Sequence, residues 1–212
     1  DERVDYELSV AKNHSGIYEL RGYKASLYIE GQPGEKREHY FSLNRGNEFN
    51  SRQAYNLLAG RSVQNETGWL QLDLTDKHPD GSYRMKVFNP GYGFDLEKNV
   101  KLLLGNDGFA KEETKKLLED LRNGERVGVV FQENGLKKQL SIEANPQFNT
   151  LNIYNETGNR VSLRSVLGIS TPEPAKLSMS EKQHYEFNQI PKKAIRIRNN
   201  GLSFLVLLIL TH

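Results

Sequence analysis

The apolar residues along this chain change period several times, and each change marks an element. Tyr23, Ala25, Leu27 and Ile29 alternate with Lys24, Ser26 and Tyr28, the period of two expected of a strand with one buried face. With Asp5 to Val10 and Glu38 to Leu43, this predicts three opening strands, the second and third joined as a hairpin through the turn at Gln32-Pro33-Gly34. From Ser51 to Ala59 the spacing lengthens to three and four, with Ala54, Leu57 and Leu58 on one side, Ser51 as the expected cap and Gly60 as the stop. The period then returns to two. Trp69 to Leu74 and Tyr83 to Phe88 flank His78-Pro79-Asp80-Gly81, which predicts a second hairpin.

Beyond the breaker Asn89 to Gly93, Asp95 is placed to cap a helix whose apolar positions are Leu96, Val100, Leu103 and Leu104 and whose stop is Gly105. A third helix is expected from Ala110 to Asn123, with Thr114, Leu117, Leu118 and Leu121 as a narrow inner stripe suited to lying on a sheet. Arg126 to Gln132 and Lys137 to Glu143 read as a hairpin across Asn134-Gly135, followed by strands at Asn149 to Tyr154 and Arg160 to Leu167. These elements define an α+β class: antiparallel sheets built from hairpins, with about three short helices on one face. The expected division is an α+β domain over 1–167, a polar linker over 168–191, and a C-terminal hairpin or apolar tail over 192–212, where Ala194 to Arg198 alternates and Leu202 to Leu210 is an apolar run.

A length of 212 residues supports a core that buries roughly 70% of the unfolded chain's surface. The absence of cysteine excludes a disulfide framework, a thiolate zinc site and a cysteine nucleophile. A net charge of +2 excludes the global field of a dedicated DNA binder, so any nucleic-acid contact has to be a local patch. No stretch approaches the about 20 apolar residues of a membrane span.

Candidate chemistry is sparse. The five histidines, His14, His39, His78, His184 and His212, lack metal-ligand spacing, and no Gly-x-Ser-x-Gly elbow exists. Gly91-Tyr92-Gly93 precedes a helix, but Asp95 puts negative charge where a phosphate loop needs a lysine. No catalytic residue, metal or cofactor is assigned. The hairpin at Tyr83 to Phe88 is richer, because Arg84, Lys86 and Phe88 share one face, expected to be solvent-directed, while Tyr83, Met85 and Val87 share the other. With Arg45, Arg61 and Tyr92 near it in sequence, that face is the candidate partner-binding site.

Five blocks in fixed order carry a resemblance: Ala54 to Val63, Trp69 to Asp73, Tyr83 to Phe88, Tyr92 to Leu96 and Glu143 to Phe148. From Tyr40 to Val161 the chain resembles a domain family of unknown function carried by conjugative and other mobile elements of gut Bacteroidetes. The loop at Asn65 to Gly68 is shorter than in that family, and the apolar end replaces its charged tail. The resemblance implies a cytoplasmic accessory to DNA transactions and supplies no catalytic residue. The resulting expectation is a non-enzymatic interaction module that contacts nucleic acid or a DNA-processing protein. Two alternatives stand beside it: an enzyme with an unrecognised Asp/Glu/Tyr/His site, and an oligomerisation module that self-associates through Leu202 to Leu210.

Overall fold

A computed structural model describes residues 2–29, 36–43, 48–105, 111–133, 136–166, 196–199 and 202–205. The chain divides into two units, Asp1–Thr171 and Pro172–His212. The class is α+β, with antiparallel pairing throughout the described strands.

The first sheet has the order β1 (Arg3–Lys12), β2 (Tyr18–Tyr28), β3 (Lys36–Ser42). Strands β2 and β3 pair as the alternation requires, although the turn expected at Gln32 to Gly34 lies outside the described residues. The first hairpin is instead β1 with β2, and both strands outrun their expected limits. The sequence around its tip, Asn13 to Ile17, hides a turn held by the Asn13 side chain, whose Oδ1 accepts from the Ser15 and Ile17 amides at 2.9 and 3.0 Å. A bulge interrupts the register: Ser9 faces Gly22 and Val10 faces Leu20, which sets Arg21 aside. Because partners across a ladder share a face, the extra residue moves Leu20 and Tyr18 onto the side occupied by Tyr23, Ala25 and Leu27.

Helix α1 (Ser51–Leu58) is capped one residue earlier than expected. Asn50, not Ser51, is the cap: its Oδ1 accepts from the Gln53 amide at 2.9 Å while Gln53 Oε1 accepts from the Asn50 amide at 3.1 Å, a reciprocal box. The helix ends in a Schellman motif, with Gly60 at φ +85°, its amide donating to Leu57 O and the Arg61 amide to Asn56 O.

The second sheet is β4 (Val63–Asn65), β5 (Gly68–Lys77), β6 (Tyr83–Phe88). Strand β4 is too short to show a period. The hairpin turn has the expected place, with Gly81 at φ +86°. This sheet is a wall between two cores. Leu70, Leu72 and Tyr83 pack with Tyr23, Ala25, Leu27, Phe41, Ala54, Leu57 and Leu58, joining α1 to the first sheet. Trp69 and Phe88, paired across the other face, join the second core.

That second core is closed by α2 (Leu96–Leu104), α3 (Lys111–Arg122) and the third sheet. Asp95 caps α2 as its position implies, accepting from the Lys98 amide at 2.9 Å. The third sheet has the order β10 (Arg160–Val161), β9 (Thr150–Tyr154), β8 (Leu136–Asn145), β7 (Val127–Glu133). Val129, Phe131, Leu140, Ile142, Leu151 and Ile153 face Leu117, Leu118 and Leu121 of α3. The strand expected over Arg160 to Leu167 lasts two residues before a four-residue turn of helix, α4 (Leu163–Val166), where Ser162 Oγ accepts from the Ser165 amide.

In the second unit, β11 (Arg196–Asn199) pairs antiparallel with β12 (Leu202–Leu205). The linker assigned to 168–191 and the apolar run past Leu205 lie outside the described residues. No described helix is long and apolar enough to cross a membrane.

Candidate functional site

The residues singled out in the hairpin divide among three environments. Arg84 Nε lies 2.9 Å from Asp76 and Lys86 Nζ 2.8 Å from Asp73, so each cation already holds a carboxylate of the facing strand. Lys86 and the Thr75 donors pull the Asp73 carboxyl down to about 2. Phe88 shares their face, as the alternation requires, but it is buried: this end of the face is covered by the second core, while Val87 on the opposite face is half exposed. The expectation that the whole face points to solvent is therefore corrected at Phe88. Tyr92 is half exposed, lies edge-on to Phe88 at 5.1 Å between centroids, and donates to Gln147 O at 3.2 Å. Arg45 lies outside the described residues. Arg61 belongs to a different and more elaborate arrangement.

At its centre is Glu143, on the polar side of β8, with a side chain only 6% exposed. Its Oε1 accepts from Arg126 Nε at 2.7 Å and lies 3.2 Å from Arg61 Nε, while its Oε2 accepts from the Tyr154 hydroxyl at 2.9 Å. Two guanidiniums thus share one carboxylate. The Arg126 guanidinium also lies over the Tyr154 ring, 3.9 Å from its centroid. Arg61 is delivered by the Schellman motif of α1 and donates from Nη1 to Asn56 Oδ1 at 2.7 Å.

Helix α3 ends the same way, with Gly124 and Glu125 in the roles of Gly60 and Arg61: the Gly124 amide donates to Leu121 O and the Glu125 amide to Asp120 O. Gly124 has φ +84°, and a Cβ there would sit 2.9 Å from both Asn56 Cβ and Val63 Cγ2. That close approach lets fully buried Asn56 donate to Asn123 O at 2.7 Å and Glu125 Oε1 at 2.8 Å. The two helix ends are thereby locked through one asparagine, and Arg52 Nε completes the chain at 2.5 Å from Glu125.

The network opens into a trough of about 630 Å³ across the outer face of β7, β8 and β9, lined by Arg126, Gly128, Val130, Gln139, Ser141 and Tyr154 and walled by the Asn155–Gly158 turn. Gly128 leaves its floor open, with nothing within 4 Å of where a Cβ would stand. Among the described residues, the side chains of Gln139 and Ser141 have no hydrogen-bond partner, and the terminal nitrogens of Arg126 donate to none. Further along the same face Arg160 Nη2 donates to Asn152 Oδ1 at 2.5 Å. Glu156, in the wall, adds one exposed carboxylate.

Burial and charge together set the protonation of two groups at this trough. Burial opposes the charge on Arg126, but the Glu143 carboxylate outweighs it and raises the guanidinium above its ordinary range. Burial first, then the negative charge of Glu143, lifts the Tyr154 hydroxyl as well, so it stays a protonated donor. Glu143 thus accepts two hydrogen bonds and holds a second guanidinium at ion-pair distance. Among the described residues, no group of three His, Asp or Glu is placed to hold a metal ion.

Sequence reasoning missed Arg126, Glu143, Tyr154 and Asn56. One signal was present: Gln139, Ser141 and Glu143 alternate with Leu140, Ile142 and Ala144, which marks a polar sheet face. No family model matches this chain, and neither a curated protein nor a solved structure shows significant similarity to it.

Proposed function

We propose that this chain is a non-enzymatic interaction module of a mobile genetic element, acting in the cytoplasm, which holds a nucleic-acid strand on the outer face of the β7–β10 sheet. The observation that supports this reading is the unequal sharing at Glu143: Arg61 and Arg126 converge on a single carboxylate, leaving positive charge and free Arg126 nitrogens beside a trough with open polar side chains. A phosphodiester is the matching ligand. Its oxygens take the planar guanidinium donors, and Gln139 and Ser141 supply neutral donors beside them. Lys86 and Arg84 sit elsewhere with their own aspartates and contribute little.

Fluorescence anisotropy with single-stranded and duplex DNA, at low and moderate salt, tests the reading. Binding is expected to weaken as salt rises. Ser141→Asp, which places negative charge on the trough floor without disturbing the core, is expected to weaken binding by roughly tenfold, whereas Lys86→Glu leaves it unchanged. A flat titration at low salt, or equal losses from both substitutions, overturns the assignment.

A further inference from the structure

Beyond the last rung of β3, where Gly22 faces Ser42, the β1–β2 hairpin continues as two strands alone. On the side that is buried nearer the body, this extension carries Val10, Leu20 and Tyr18, exposed by 58, 45 and 68%, and the strip continues onto the edge strand β1 just inside that rung with Leu8, 67% exposed opposite Tyr23, and then Tyr6; Ile17 is exposed at the tip. The bulge at Arg21 is what keeps them there. In an unbroken register Leu20 and Tyr18 would fall on the opposite side, so the local geometry extends an apolar face past the point where the body covers it.

We propose that this face is the docking surface for a second copy of the chain, two hairpins stacking antiparallel across a two-fold axis. Size is the first argument. Tyr6, Leu8, Val10, Tyr18 and Leu20 are five large, exposed side chains on a single continuous face, and a contiguous apolar strip of this kind marks an interaction surface.

Charge is the second argument. At its body end the strip meets the segment before α1, where the Tyr6 hydroxyl donates to Ser51 O at 2.8 Å and the Tyr23 hydroxyl to Phe49 O at 2.5 Å, with Glu48 exposed beside them. At its tip end, about 20 Å away at the rise of an extended strand, stands Lys12, its ammonium 5.1 Å from the Tyr18 ring. A two-fold axis through the middle of the strip brings each Lys12 toward the other copy's Glu48. In such an interface every contact occurs twice. A strip ending in opposite charges at its own repeat length is complementary to itself.

Analytical ultracentrifugation of the full chain tests this. The wild type is expected to dimerise, with Lys12→Glu and Glu48→Lys each weakening the dimer by roughly tenfold and the double reversal restoring it. Both residues are exposed, so folding is not at stake, and circular dichroism checks that. Because the chain has no cysteine, Leu8→Cys gives a second readout: it should oxidise to a covalent dimer, while Leu102→Cys, equally exposed on α2, should not. A monomeric wild type, a dimer indifferent to both charge reversals, a double reversal without rescue, or equal cross-linking of both cysteine variants overturns the proposal. So does a monomer that floats with lipid vesicles through the same hairpin.

Discussion

The first and third sheets depart from the rule of apolar inside and polar outside in opposite directions. The β1–β3 sheet leaves leucine, valine and tyrosine in water on the very face that forms a core lower down. The β7–β10 sheet buries a glutamate, Glu143, and an asparagine, Asn145, on the face that should be wet. The causes differ. Exposure in the first sheet follows from length, since two strands outrun the body that would cover them. Burial in the third follows from delivery, because two Schellman motifs bring Arg61 and Glu125 to Asn56 and so close the lid over Glu143. A departure of the first kind costs the monomer little and offers a surface, whereas one of the second kind is held by charge pairing and fails if a member is lost.

The sharpest contrast lies within one face of β1 and β2. Leu27→Ala, at a fully buried position, is expected to cost about 3 kcal/mol, and Leu8→Ser, on the same face but exposed on the edge strand, less than about 0.5 kcal/mol of monomer stability. Urea unfolding of both variants measures the difference, and equal losses would mean that the outer strip is packed after all. Next, Glu143→Gln leaves two guanidiniums without their shared anion and should lower stability by about 3 kcal/mol. The lower end of the range for buried pairs applies, because Arg126 is partly in water. A change under about 1 kcal/mol would place Glu143 with ordinary surface ion pairs.

The smallest effect concerns His39 on β3, edge-on to Phe41 at 4.9 Å and with its Nδ1 buried and unpartnered among the described residues. Burial lowers its pKa, with His78 pushing the same way and Asp80 opposing. The unfolded chain therefore binds this proton more readily, so the stability contribution is present above about pH 6.5 and is lost as pH falls below it. Thermal unfolding at pH 7.5 and 5.5 should show a modest loss that His39→Gln removes.

Period and punctuation made most of the fold readable. Alternation in β2 and β8, the Asp95 cap and the stops at Gly60 and Gly105 need only neighbours in sequence. The β1–β2 hairpin escaped because its turn rests on one asparagine side chain and its register contains a bulge, which erases the simple count of two. The site was less legible. Arg61, Arg126, Glu143 and Tyr154 are polar residues scattered over more than ninety positions, and their meeting depends on how two helices end against each other. Phe88 shows the complementary limit, since alternation assigns a side chain to a face but does not say what lies over it.

The β4–β6 wall also gives the molecule a spatially resolved optical readout. Its single tryptophan, Trp69, faces Phe94 and the helices α2 and α3, whereas Tyr23 and Tyr83 lie on the far side of the same three strands. Indole emission therefore reports on that core alone, and its melting curve, set against the far-ultraviolet circular dichroism of the whole chain, records whether this core gives way with the other elements or apart from them.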